Sequence, residues 1–303
     1  MQAQQANTLS ERWTARQAAI RAMRFAPVLG EKALWRYAQL QRRAKGAVTI
    51  QAKYGARFID CRLEDRIPRT IHNFGVWEPN ATALFESILR PGDVCVDIGA
   101  NIGYYTLLAA KLVGESGCVV AIEASPAIFA QLHRNIEHNR AHSVRALNLA
   151  ASDEAGEVDI FSGPQSNRGL TSTLPTEGLS HEARVRAAPL DDVLTADELA
   201  RVALIKIDIE GAEAPVLRRL AETIALYPAK LQIIAELNPQ SPNRALLDEA
   251  LAALRNAGFE AYAVENKYQL IDYLRWRALC PLQPLDAVPD TQCDVLFRRP
   301  VLA

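Results

Sequence analysis

The feature that most constrains this chain is the stretch Val94–Thr106, which reads Val-Cys-Val-Asp-Ile-Gly-Ala-Asn-Ile-Gly-Tyr-Tyr-Thr. A short apolar run predicts a buried strand. Gly99 and Gly103 frame the turn that follows, and the run from Tyr104 to Val113 is helix-compatible. Strand, glycine turn and helix in that order form the opening unit of a nucleotide-binding α/β domain. Gly99 allows a sharp turn and close approach of backbone to a ligand, and the helix start offers unpaired N–H groups to an anionic group. Asp97, at the strand's carboxyl end, is costly to bury without a cationic or donor partner, and a ligand ammonium would be one. Alone, the pattern is also compatible with a connection that binds nothing, so the rest of the chain has to decide.

Further along, the same logic recurs. Gly117–Glu123 is a second buried strand ending in a carboxylate, placed where such domains hold both ribose hydroxyls. Ser143–Leu149 reads as a third strand, followed by Ala150-Ala151-Ser152-Asp153. Ala203–Asp208 is an alternating strand carrying Lys206 and ending in Asp208, with Glu210, Gly211 and a helix from Glu213 behind it. Lys230–Leu237 is another buried strand, with Glu236 and Asn238 at its end. Asp97, Glu123, Asp208 and Glu236 therefore fall along the rim where a parallel sheet places its ligand.

Asp97–Thr106 and Lys206–Glu213 resemble the two signature blocks of FkbM-type methyltransferases. The likeness runs from about Gly75 to Arg298. It takes in Trp77-Glu78-Pro79, the helix end Asn135–Asn139, Ala150–Asp153 and Leu190-Asp191-Asp192. The usual proline after the second acid is displaced by Ala124-Ser125, which implies a small loop change. The resemblance implies a Rossmann-like seven-stranded sheet of the class I methyltransferase type, with its last strand antiparallel, and S-adenosylmethionine as cofactor. It also implies roles. Asp97 and the turn Gly99, Asn101, Gly103 would hold the methionine end, Glu123 the ribose, and Ser152 and Asp153 the adenine, with Asp208 at the cofactor's methyl group and Glu78, Tyr105 and Thr106 also in the cofactor site.

Methylation of a hydroxyl is an in-line displacement that gains most from positioning in a dry site. The acceptor must also lose a proton, so a general base is expected. Asp208 is the candidate. Lys206 lies on the same face by strand alternation and can pair with it, and Glu210 can position the acceptor. Glu213 either shares that task or caps its helix. Asp208, Glu236 and Asn238 could converge as oxygen ligands, but no metal is expected. Among the histidines, His181 is read as a solvated loop residue.

Around this core, residues 1–47 are predicted to form an N-terminal helical extension of two helices with a break near Pro27 and Gly30. Residues 48–303 form the methyltransferase domain, in which 48–90 lead in and 91–303 are the core. Val48–Ile50, Arg57–Ile59 and Thr70–His72 read as a small ribbon. A helix opens at Trp77-Glu78-Pro79, capped by Asn80 or Thr82, and the polar run Ser162–Ala183 reads as a lid loop. A net charge of −1 gives no reason to expect nucleic acid. Five cysteines without CxxC spacing suggest reduced thiols and a cytoplasmic protein. No apolar run is long enough to span a bilayer, and the polar start is unlike a signal peptide. The basic N-terminal segment reads either as a cap packed on the core with a solvated basic face or as a surface that meets a membrane or glycolipid.

The expected acceptor is a sugar, glycan or glycolipid hydroxyl, with a polyketide or other small metabolite as the alternative. Two other classes compete: an NAD-dependent oxidoreductase, which Glu123 suits but the Gly-Ala-Asn-Ile-Gly turn does not, and a non-catalytic cofactor-binding subunit. The oligomeric state is not legible.

Overall fold

The computed structural model describes residues 18–20, 22–43, 46–163, 171–173, 178–239 and 244–300. They fall into two compact units. One runs up to Pro79 and includes Lys267–Ala278, and the other comprises Asn80–Asn266 and the chain from Leu279. The ribbon groups with the helix before it.

In the first unit, the helix Pro27–Arg43 precedes an antiparallel ribbon of β1 (Val48–Gln51) and β2 (Arg57–Cys61). Gly30 does not break that helix. It lies inside it, where a Cβ would come within 2.7 Å of Met23 Cβ. Thr70–His72 is helical rather than extended, within Arg66–Phe74. Pro68, Ile71 and Phe74 are buried in it at spacing three, a helical period that a three-residue window cannot reveal. Gly75 ends it in the left-handed conformation, φ 72°, donating to Ile71 O. Gln41 and Asn73 exchange side-chain amide bonds of 2.9 and 3.0 Å in this interior.

The second unit is built on one large sheet. Its strands are β3 (Val94–Ile98), β4 (Cys118–Ile122), β5 (Val144–Leu147), β10 (Val202–Ile207), β11 (Gln232–Leu237), β12 (Glu260–Val264), β13 (Gln283–Pro284) and β14 (Cys293–Arg298). They lie in the order β13-β12-β14-β11-β10-β3-β4-β5. β5, β4, β3, β10 and β11 are parallel, and β14 runs antiparallel between β11 and β12. The expected seven strands with an antiparallel last one are thus present, extended by the two-residue β13. β3 and β10 are buried at every position, as strands covered on both faces require, and read as nearly unbroken apolar runs. From β3 the chain moves out through β4 to β5. Later it returns on the other side of β3 as β10 and moves out to β11. The β3–β10 pair is therefore the topological switch point, where open α/β sheets form their ligand crevice.

A second sheet of order β6-β9-β7-β8 is inserted between β5 and β10: β6 (Ala150–Ala151), β7 (Gly156–Ser162), β8 (Thr171–Ser172) and β9 (Ser180–Ala188). Part of the predicted lid loop is therefore strand, since β8 and the start of β9 pair with β7. Residues 164–170 and 174–177 of that segment lie outside the described residues, as do residues 1–17 of the N-terminal extension. The helix Pro79–Ile88 forms as predicted, with Asn80 and Thr82 inside it rather than ahead of its first residue: Asn80 donates to Glu265 O at 2.5 Å, and Thr82 shares a hydrogen bond with the Tyr104 hydroxyl. All five cysteines are free. No helix among the described residues is long and apolar enough to cross a membrane.

Candidate active site

The carboxyl ends of β3 and β10 meet through backbone. Asp208 N donates to Ile98 O at 3.0 Å. Gly99 follows at φ 77°, and a Cβ there would lie 1.8 Å from Asp208 O. Only glycine permits this approach, so the residue that makes the turn also brings the two strand ends together. Gly103, at φ 93°, opens the helix Tyr104–Val113, and a Cβ there would fall 2.7 Å from Leu132 Cδ1, a side-chain end that can shift, so its positive φ is the stronger demand for glycine. Between them Asn101 adopts φ 52°, and its side chain accepts the Ile102 N–H.

Beside this junction is a small, partly open cavity. Gly99, Glu123 and Asp208 line it, together with Leu149, Ile160 and the hydroxyl-bearing run Thr171–Thr173. Glu123 is held from behind, accepting the N–H of Asn101 on Oε2 at 2.8 Å and that of Ser125 on Oε1 at 2.9 Å. Each oxygen keeps acceptor capacity beyond that one bond. Burial pushes the Glu123 carboxyl up to about 7 despite these two donors.

Asp97 does not line this cavity. It sits 1 % exposed at the end of β3, with Oδ2 accepting from the Thr106 hydroxyl at 2.6 Å and Oδ1 buried without a hydrogen-bond partner. Burial raises its carboxyl, with the Lys206 charge opposing. An orphaned buried carboxylate oxygen beside a glycine turn suits a cationic ligand group, and the Glu123 carboxylate suits a pair of hydroxyls. The donor set therefore fits S-adenosylmethionine. Thr106 is engaged by Asp97. Tyr105 packs on Phe85 and places its ring under the Lys206 ammonium, 4.9 Å from the centroid.

On β10, Lys206 is 2 % exposed and donates to Asp208 Oδ2 at 2.8 Å, as strand alternation predicts. Glu210 follows at φ 52°, a left-handed conformation that costs a non-glycine residue energy and marks a constrained turn. Its carboxyl is pushed up to about 7 by burial and then by Asp208. Carboxylate oxygens of Asp208, Glu210 and Glu236 lie within 4.8 Å of one another. Asp294 on β14 adds a further buried acid, raised to about 6 by burial, and Asn266 donates to it at 2.6 Å. The Lys206 ammonium bonds Asp208 and its charge acts on Glu210 and Asp294 as well. Glu213 does not act as a simple helix cap. It is buried and accepts the N–H of Gly211 at 2.9 Å and of Ile209 at 3.3 Å, shaping the loop behind Asp208.

Ser152 and Asp153 do not line the cavity. The Ser152 hydroxyl donates to Asp153, whose other oxygen pairs with Arg218 at 2.5 Å. Glu78 belongs to the first unit, where it takes φ 41° and accepts from the Tyr268 hydroxyl at 2.8 Å, with Trp77 stacked on that tyrosine. His181 lies on β9 rather than in a loop, paired with Asp159. Two residues are not evident from sequence. Ser125 caps the helix Pro126–His138, accepting from Ile128 N, and its hydroxyl donates to Glu182 at 2.7 Å. Serine directly before proline is the available signal for that cap. Nothing in the sequence connects Glu182, 57 positions away, to it.

Residues 97–261 match the family model described as methyltransferase FkbM domain. The chain is 31% identical over 206 residues to the 31-O-demethyl-FK506 methyltransferase FkbM of Streptomyces tacrolimicus, covering 59% of this chain and 76% of that protein. It is 32% identical over 143 residues to Methyltransferase 1 of Beauveria bassiana, covering 41% of this chain and 57% of the relative. It is 25% identical over 159 residues to the hexuronic acid methyltransferase AglP of Haloferax volcanii, covering 52% and 62%.

Proposed function

The chain belongs to the FkbM methyltransferase family and uses S-adenosylmethionine, and from that premise we propose that it methylates a hydroxyl oxygen of a sugar or glycan. The observation that carries the reading is the placement of Asp208. Its carboxylate lines the same cavity as Glu123 and the Gly99 turn, so the residue suited to deprotonate an alcohol stands beside the residues suited to hold the cofactor.

S-adenosylmethionine supplies an electrophilic methyl group on a sulfonium centre. Glu123 would hold the ribose hydroxyls and the Gly99–Gly103 turn lets backbone come close, while Asp97, which does not line the cavity, would act on the cationic methionine end by its charge from the buried end of β3. Asp208 Oδ2 is held by Lys206, and Oδ1 takes the proton of the acceptor hydroxyl. Lys206 orients that carboxylate and offsets the charge of the acids around it. Glu210 bonds and positions the acceptor. The apolar wall of Leu149 and Ile160 limits water in the site.

Two things support a sugar: the hydroxyl-rich edge Thr171–Thr173 of the cavity, and the hexuronic acid named for the Haloferax relative. The name of the Streptomyces relative favours a second reading, a small-metabolite hydroxyl such as that of 31-O-demethyl-FK506. Labelled methyl transfer from S-adenosylmethionine to hexuronic acid glycosides and to 31-O-demethyl-FK506 separates them. Label in the glycoside alone is expected. Label in 31-O-demethyl-FK506 alone overturns the sugar reading, and label in neither, with methyl found on a nitrogen or sulfur acceptor, overturns O-methylation.

A further inference from the structure

We propose that the outward face of the helix Pro27–Arg43 docks on the surface of an anionic lipid bilayer. The helix has one inward stripe, Gly30, Leu34, Ala38 and Gln41, which recurs every three to four residues and is buried. On the opposite side, Lys32, Arg36 and Arg43 form an exposed basic ridge. Large apolar side chains stand exposed on both flanks of that ridge. Val28 and Trp35 lie on one side, at 54 % and 57 %, and Leu29 and Leu40 on the other, at 70 % and 66 %. Phe25, 93 % exposed, precedes the helix at the same end. Apolar groups exposed in such number mark a surface that meets something other than water.

The charge identifies the occupant. Glu31 is the helix's one acid and is half-buried, while Lys32, Arg36, Arg42 and Arg43 are exposed. A second copy of the chain docked here would set the basic ridge against itself. A surface of phosphate headgroups over hydrocarbon complements both features: the basic groups pair with phosphate, and their stems, with tryptophan and leucine between them, enter the headgroup layer. The proposal holds for any acceptor and does not depend on the site's chemistry.

The test uses the full chain with vesicles of phosphatidylcholine alone and of phosphatidylcholine mixed with phosphatidylglycerol. Co-sedimentation is compared for the natural sequence, Leu29→Asp/Leu40→Asp and Arg36→Glu/Arg43→Glu, with thermal unfolding as the control for folding. The altered residues are exposed, so unchanged melting is expected. Binding to the anionic vesicles alone is expected, falling at least tenfold in either double variant and at high salt. Absence of binding, equal binding to both vesicle types, or undiminished binding by the folded variants overturns the proposal. So does a dimer in light scattering that Leu29→Asp/Leu40→Asp dissolves, since that result assigns the face to self-association.

Discussion

Lys206 Nζ donates to Asp208 Oδ2 at 2.8 Å, joining a lysine side chain 3 % exposed to a carboxylate 29 % exposed. The pair links the interior of the sheet to the cavity, and it sets the first prediction. Asp208→Asn keeps the shape and can still accept from Lys206, but it cannot take a proton. Turnover at saturating cofactor is expected to fall about 10²–10⁴-fold, with S-adenosylhomocysteine binding within a few-fold of the natural chain. A near-normal rate removes Asp208 from the chemistry.

The same pair makes a stability prediction. Lys206→Met leaves Asp97, Asp208 and Asp294 without their central cation. Breaking a fully buried pair costs about 3–5 kcal/mol, and the partial exposure of Asp208 brings the expectation down to about 2–3 kcal/mol by urea unfolding. Lys206→Met/Asp208→Asn should recover part of that loss, because one of the stranded charges is gone. Additive losses would show that the two residues do not interact energetically.

Two glycines with positive φ but different surroundings separate conformation from close approach. Gly114 has φ 67° and ψ −166°, a conformation essentially confined to glycine, and a Cβ added there would meet nothing within 4 Å, so Gly114→Ala should cost only that backbone strain, about 1–3 kcal/mol. Gly99→Ala must in addition move Asp208 O, 1.8 Å from the new Cβ. It should lose both cofactor binding and turnover, with a stability loss well beyond that of Gly114→Ala. Equal effects in the two variants would contradict the contact between the strand ends.

Burial raises Glu123, Glu210 and Glu213 to about 7 from an ordinary 4.5. A carboxyl raised in the folded state binds more protons there than in the unfolded chain between those values. Stability of the ligand-free protein should therefore fall as pH rises from about 4.5 to about 7, and level off above. Thermal unfolding across pH 5 to 8 checks this, and Glu210→Gln should flatten the slope. Binding has the opposite sign, since ribose hydroxyls donate to the ionised Glu123. Affinity for S-adenosylhomocysteine should rise through about pH 7.

Much of this fold is legible in the sequence because parallel strands buried on both faces must be apolar along their length. β3, β4, β10 and β11 announce themselves that way, and Gly99 and Gly103 mark the turn between strand and helix. The pairing of Lys206 with Asp208 follows from alternation alone. The inserted sheet is less legible. β8 has two residues, and β9 carries a mixed pattern of exposed and half-buried positions, so the polar run before it reads as loop. Glu182 and Asp294 are invisible because each reaches the site region from a distant part of the chain. Asp97 poses a different difficulty. Sequence places it at the correct strand end, yet whether its carboxylate lines the cavity or lies buried against Thr106 depends on packing that no pattern encodes.

The account stands on Glu123 holding a nucleoside beside the β3–β10 junction. Isothermal titration of the full chain with S-adenosylhomocysteine, and separately with NAD, tests this most directly when repeated on Glu123→Gln. The account predicts 1:1 binding of S-adenosylhomocysteine, none of NAD, and at least a tenfold weaker affinity in a folded Glu123→Gln. Unchanged affinity in that variant, or tighter binding of NAD, would contradict it.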